Sequence, residues 1–168
     1  MAADGLPKLT VSWHMTSRHV SRIGSAVDAD GVPDILVGVL RGGMIPAVQL
    51  AHLLGIRTVR AIQVTRTLTD EADAAKTLQP VTANPGSLGD LSGQDVLIID
   101  DIAGSGLTML ACKGLVQQAG AARVRTAALA VNALNWERSR SRSVSPSREL
   151  TYVGHIYRGW VTFPWERQ

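Results

Sequence analysis

The sequence predicts an α/β protein: a mostly parallel, open sheet with helices on both faces. Three observations carry that expectation. The runs Ile35–Leu40 and Asp95–Ile99 are rich in branched residues at successive rather than alternate positions, as in strands covered on both faces. Each leads through a glycine-containing turn into a helix-length segment that stops at a glycine, Gly55 or Gly120. The β-α-β order recurs without an internal repeat, which favours an open doubly wound sheet. With 168 residues, 45% of them apolar and 18% charged, the chain can bury the core of one domain.

In chain order, Trp13, Thr16, Val20, Ile23 and Val27 recur every three to four residues, so a helix is expected from Ser12 to Ala29, with Ser12 as N-cap. The stretch DADGVPD is a turn before the strand Ile35–Leu40. After Arg41-Gly42-Gly43, Pro46 near the first turn and Gly55 past the last bound a second helix. Thr58–Thr65 is a second strand. Residues 66–92 carry Pro80, Pro85, Gly86 and Gly89 with little apolar content, and are expected to form a flexible loop or lid. Asp95–Ile99 runs into DDIAGSG, then a helix from about Leu107 to Ala119. Arg123–Val131 and Leu150–Ile156 are two further strands, separated by the low-complexity run RSRSRSVSPSR.

Composition excludes several classes. One cysteine, Cys112, rules out an intramolecular disulfide framework and a multi-cysteine zinc site; burial as a small core residue is its expected role. His14, His19, His52 and His155 show no metal-ligand spacing. No apolar run approaches a membrane span, and MAADGLPKLT lacks the apolar core of a signal peptide, so a cytoplasmic protein with no membrane partner is expected. The balance of 17 basic to 14 acidic residues gives +3 and raises a nucleic-acid reading. Four of those cations, Arg138, Arg140, Arg142 and Arg148, fall in the one acid-free loop 138–148. The other 13 are matched by 14 acids, so the body is near neutral and a nucleic-acid partner is not expected.

The chemistry concentrates where strands end. In Val96–Thr108, Gly104 and Gly106 allow a tight turn, free N–H groups open the next helix, and Ser105 and Thr108 add hydroxyls: a phosphate cradle. It lacks the Gly-Lys-Ser/Thr of a Walker loop, and Met109 stands where a dinucleotide fingerprint needs its third glycine. Asp100 and Asp101 just before it would repel a phosphate face to face. They suit neighbouring hydroxyls or a divalent cation, so a ribose 5-phosphate fits the pattern.

VLIIDDIAGSGLTM resembles the 5-phosphoribosyl-1-pyrophosphate (PRPP) motif of type I phosphoribosyltransferases. DILVGVLRGGMIPAVQLAHLLGI resembles their pyrophosphate loop and following helix. GWVTFPWE and the early Ser12-Trp13 resemble the base-binding hood of bacterial xanthine–guanine and archaeal-type hypoxanthine/guanine enzymes. The resemblance implies the type I phosphoribosyltransferase fold, with a small hood over about 157–168, and transfer of phosphoribosyl from PRPP to a purine base with release of pyrophosphate. It implies that Asp100 and Asp101 hold the ribose hydroxyls, with Asp101 near Mg²⁺, and that Ala103, Gly104, Ser105, Gly106 and Thr108 wrap the 5-phosphate. Arg41 and Gly42 would grip pyrophosphate beside a cis Leu40–Arg41 peptide. Trp160 would stack on the base, Val161 would meet its edge, and Arg66 or Lys76 would close over the site. Homo-oligomers, dimers or tetramers, are usual among relatives.

Two positions depart from the 6-oxopurine pattern. Gly104 stands where those enzymes usually carry an aspartate facing purine N7, and Val131 or Asn132 stands where a lysine reads the 6-oxo group. Asn132 can donate or accept there. The base is therefore open among hypoxanthine, guanine and xanthine, then adenine or an analogue. A modified-purine transferase and a non-catalytic PRPP or nucleotide sensor are the alternatives. Trp165 is expected as a packing aromatic, and Glu166 either as a neighbour of the base or Mg²⁺ or as a solvated carboxylate.

Overall fold

In a computed structural model, residues 8–67, 76–139 and 145–166 are described. The elements are β1 (Lys8–Thr10), α1 (Trp13–Ala29), β2 (Ile35–Leu40), α2 (Met44–Leu54), β3 (Thr58–Thr67) and β4 (Lys76–Thr82). After a 3₁₀ turn (Pro85–Leu88) come β5 (Asp95–Ala103), α3 (Leu107–Gln118), β6 (Arg123–Asn132), α4 (Ala133–Ser139), α5 (Pro146–Glu149), β7 (Tyr152–Tyr157) and β8 (Trp160–Thr162). The main sheet has the order β4-β3-β2-β5-β6-β7, and β1 pairs with β8 in a separate ribbon. Every pairing is parallel except β3 with β4.

Burial on both faces shows in β5, whose residues divide between two cores. Leu97 and Ile99 join Val20, Ile23 and Leu50 beneath α1 and α2. Val96 and Ile98 join Met109, Cys112 and Val116 beneath α3. Ser12 caps α1 as expected, its hydroxyl accepting from the Met15 N–H at 3.2 Å. Gly55, at φ +69°, ends α2 in the left-handed conformation open to glycine.

Three expectations need correction. The segment 66–92 is not one loop: β3 runs to Thr67, β4 returns antiparallel to it, and the 3₁₀ turn follows. Residues 68–75 lie outside the described residues, as do the side chains of Arg66 and Lys76. Second, β5 does not end at Ile99. It continues to Ala103 because Asp100, Ile102 and Ala103 pair with Ala128, Ala130 and Val131 of β6, so both acids sit on a strand. Third, Arg138 and Arg148 of the Arg/Ser stretch lie on the short helices α4 and α5; Arg140 and Arg142 lie outside the described residues.

Candidate functional site

The carboxyl ends of β2 and β5 are adjacent, and glycines let their loops touch. The Leu40–Arg41 peptide is cis, and the chain then passes through Gly42 and Gly43 into α2. A Cβ on Gly43 would stand 2.6 Å from the Val39 carbonyl, 2.7 Å from that of Ile99 and 2.9 Å from Asp100 Cα. A Cβ on Gly42 would stand 1.7 Å from Asp101 Oδ2. The Arg41 loop therefore lies directly against the paired acids, and only glycine permits that approach.

The acids are held by their own strand. The Asp101 N–H donates to Asp100 Oδ1 at 2.9 Å, and the Ile102 N–H donates to Asp101 Oδ1 at 2.8 Å. Burial, then the charge of Asp101, pushes the Asp100 carboxyl well above the usual carboxylate range. Burial also raises Asp101, opposed by hydrogen bonds from Asp100 and the Ile102 N–H. The Trp165 indole stands close enough to help hold the Asp101 carboxyl down, although its buried Nε1 falls short of hydrogen-bond geometry with any described residue. Glu166 accepts the Phe163 N–H at 2.8 Å, and burial and the charge of Asp101 raise its carboxyl. The C-terminal PWE thus reaches the acid pair.

The cradle follows at once. Ala103, Ser105 and Gly106 are buried, while Gly104 and Thr108 are partly open. Gly106, at φ +73°, opens α3, and a Cβ there would stand 2.9 Å from the Trp136 ring. Trp136, 3% exposed, is the floor that holds this turn. Ser105 Oγ lies 3.4 Å from the Leu107 N–H, a weak local contact in the loop itself. A Cβ on Gly104 would meet only Asn135, at 3.5 Å from its Cβ and 3.7 Å from Nδ2.

Beyond the cradle lies the β1–β8 ribbon, with Lys8 opposite Trp160 and Leu9 opposite Val161. Val161 is in the core, whereas Trp160 is half-buried. Trp165 stacks on Phe163 at 4.7 Å and tilts against Trp13 at 5.7 Å, so it packs as expected while also reaching Asp101. Asn132 is only 3% exposed, and its Oδ1 accepts the Asn135 N–H at 3.2 Å, capping α4. That oxygen is committed to the helix, which leaves the amide nitrogen as its remaining polar group. Sequence reading missed Asn135 and Trp136. The Asn132 cap three residues before Asn135 was the one local signal for α4.

These groups can hold an anion at the cradle, hydroxyls or a cation at the acids, and a second anion at Arg41. No cluster of three or more His, Cys, Asp or Glu able to cage a metal occurs among the described residues. No described helix is long and apolar enough to cross a membrane.

Comparison with known proteins gives consistent matches. Residues 13–166 match the model of the phosphoribosyl transferase domain. Xanthine-guanine phosphoribosyltransferase of Cereibacter sphaeroides is 28% identical over 162 residues, covering 93% of this chain and 85% of that one. Its counterpart from Ruegeria is 27% identical over 165 residues, with 93% and 84% covered. The crystal structure of a purine phosphoribosyltransferase from Pyrococcus horikoshii superposes with a TM-score of 0.75 at 30% identity, over 96% of this chain and 95% of that one.

Proposed function

The chain belongs to the phosphoribosyl transferase family, and from that premise we propose that it transfers 5-phosphoribosyl from PRPP to a purine base, forming a nucleoside 5-monophosphate and pyrophosphate. The observation that carries this reading is the contact of the two loops, with Gly42 against Asp101 and the cradle two residues beyond. That order, Arg41 loop, acid pair and cradle, matches the order in which PRPP carries pyrophosphate, ribose and 5-phosphate, which supports the reading.

In this reading the N–H groups of 103–108 with the Ser105 and Thr108 hydroxyls hold the 5-phosphate, and Asp100 and Asp101 accept from the ribose hydroxyls. Arg41 and the Gly42 backbone take the leaving pyrophosphate. Trp160 covers one face of the base, a stack worth about 1–3 kcal/mol, while Val161 and the Asn132 amide nitrogen meet its edge. As the C1–oxygen bond breaks, positive charge develops on the ribose and negative charge on pyrophosphate. The acids stabilise the first and Arg41 the second, so positioning and electrostatics carry the rate. The acids fit Mg²⁺: hard oxygen donors, too few for a cage, suit an ion that arrives on substrate phosphates. Asp101 would contact it, and when bound it supplies charge neutralisation at the pyrophosphate. The same reading makes the protein a cytoplasmic homo-oligomer.

The test is pyrophosphate release from Mg-PRPP with hypoxanthine, guanine, xanthine, adenine and modified purines. Turnover with at least one is expected; PRPP binding without turnover of any base would replace this reading with a sensor. The lack of a side chain at Gly104 favours a second reading, a modified purine, which the same panel separates.

A further inference from the structure

We infer that Asn135 is a specificity-determining residue, whose side-chain amide meets the imidazole edge of the purine in place of the side chain that Gly104 lacks. This rests on the proposed purine transfer.

The sheet fixes where the base must lie. Ala103 at the end of β5 pairs with Val131 of β6, and Asn132 pairs with Tyr157 at the end of β7, from which the chain turns directly into β8. The rim between the ribose acids and the Trp160 ribbon is therefore crossed by the ends of β5, β6 and β7. Asn135 stands on that rim, one helical turn beyond β6. A Cβ on Gly104 would come within 3.5 Å of Asn135 Cβ and 3.7 Å of its Nδ2, so the Asn135 side chain, amide nitrogen included, lines the space a residue at 104 would enter. The first turn of α4 is anchored by the Asn132 cap and by the Ser139 hydroxyl donating to the Asn135 carbonyl. Both anchors use the Asn135 backbone. Its amide makes no hydrogen bond with another described residue and is partly exposed, so it is available to a ligand.

An amide offers one donor pair and one acceptor, and never exchanges the proton that a carboxylate can take. Toward a purine nucleotide, Nδ2 donates to the N7 lone pair. Toward the free base carrying its hydrogen on N7, Oδ1 accepts. Asn135 thus recognises either form of the imidazole edge while leaving proton removal to solvent, and a base with carbon at position 7 loses the contact.

The experiment compares guanosine 5-monophosphate with its 7-deaza analogue by calorimetry, using the full chain as wild type, Asn135→Ala and Asn135→Asp. The wild type should bind the natural nucleotide roughly fivefold to tenfold more tightly, the range of one neutral hydrogen bond. Asn135→Ala should bind both nucleotides equally, at the 7-deaza level. Asn135→Asp, which presents only acceptors to N7 when ionised, should bind the analogue at least as well. A preference kept by Asn135→Ala, or absent from the wild type, overturns the inference alone. A wild type that binds neither nucleotide overturns the inference for guanine, whereas the proposed function itself fails only when no base of the panel turns over.

Discussion

Adding one methyl group at Gly42 should uncouple the two halves of the site. A Cβ there would stand 1.7 Å from Asp101 Oδ2 and 2.4 Å from its Cγ. Gly42 does not have a positive φ, so alanine meets no backbone strain, only lack of space. In open space the same change would stabilise by about 0.4–1 kcal/mol through the unfolded chain. Relief requires Asp101 to rotate away, breaking its 2.8 Å bond from the Ile102 N–H, or the Arg41 loop to back off. The first route loses a hydrogen bond to a charged group, about 1.5–3 kcal/mol; the second is overpacking, about 1–3 kcal/mol. At about 2–4 °C per kcal/mol for a chain of this size, Tm should fall by roughly 2–12 °C. Mg-PRPP affinity should fall at least tenfold, because ribose and pyrophosphate contacts can no longer form together. Gly104→Ala is the matched control: its Cβ meets nothing closer than 3.5 Å, so Tm should stay within about 2 °C. Melting curves and PRPP calorimetry read both variants. Gly42→Ala melting and binding like the wild type would refute the claim that the loops touch through this glycine.

The acid pair predicts a pH effect with a definite sign. A carboxyl raised in the folded state makes the protein bind protons more tightly than the unfolded chain does, so its stability is full below the unfolded pKa and is lost as pH rises through the folded one. Asp100→Asn keeps the acceptor for the Asp101 N–H and removes that loss. It should therefore melt higher than wild type at pH 7, each pKa unit of elevation adding about 1.4 kcal/mol, with the gap closing toward pH 3; melts across that range would expose a constant or negative gap. It should also lose most of the stabilisation that Mg-PRPP gives the wild type, read as the ligand-induced Tm shift. Cys112 is buried and burial pushes its thiol up to about 12, so Ellman's reagent should label it only as fast as the protein unfolds; rapid native labelling would contradict its placement.

What could be read in the sequence was local and periodic. The buried strands, the Ser12 cap and the glycine stops all depend on neighbours within a few residues, and each is present. What stayed hidden depends on distant pairing. β1 and β8 are three residues each and exist only by pairing with one another, so neither shows a period. β4 has few apolar side chains, and its antiparallel partner supplies the hydrogen bonds that make it a strand. The site divides in the same way. Motifs marked Arg41, the acid pair and the cradle, whereas Asn135, Trp136 and the reach of Trp165 to Asp101 arise from packing between segments that sequence keeps apart.

The two ends of the sheet are built on opposite electrostatic terms. At the amino end Arg125, 2% exposed, grips both oxygens of Asp95 at 2.7 and 3.1 Å and donates to Tyr152, whose hydroxyl donates to Asp30 at 2.9 Å. Charge there is paired inside the chain. At the carboxyl end Asp100, Asp101 and Glu166 are each raised by burial, and Asp100 and Glu166 raised further by the charge of Asp101. A ligand that brings a divalent cation and ribose hydroxyls supplies what that edge lacks. If Asp100 and Asp101 hold the ribose as proposed, substrate affinity and pH-dependent stability depend on the same pair of carboxylates.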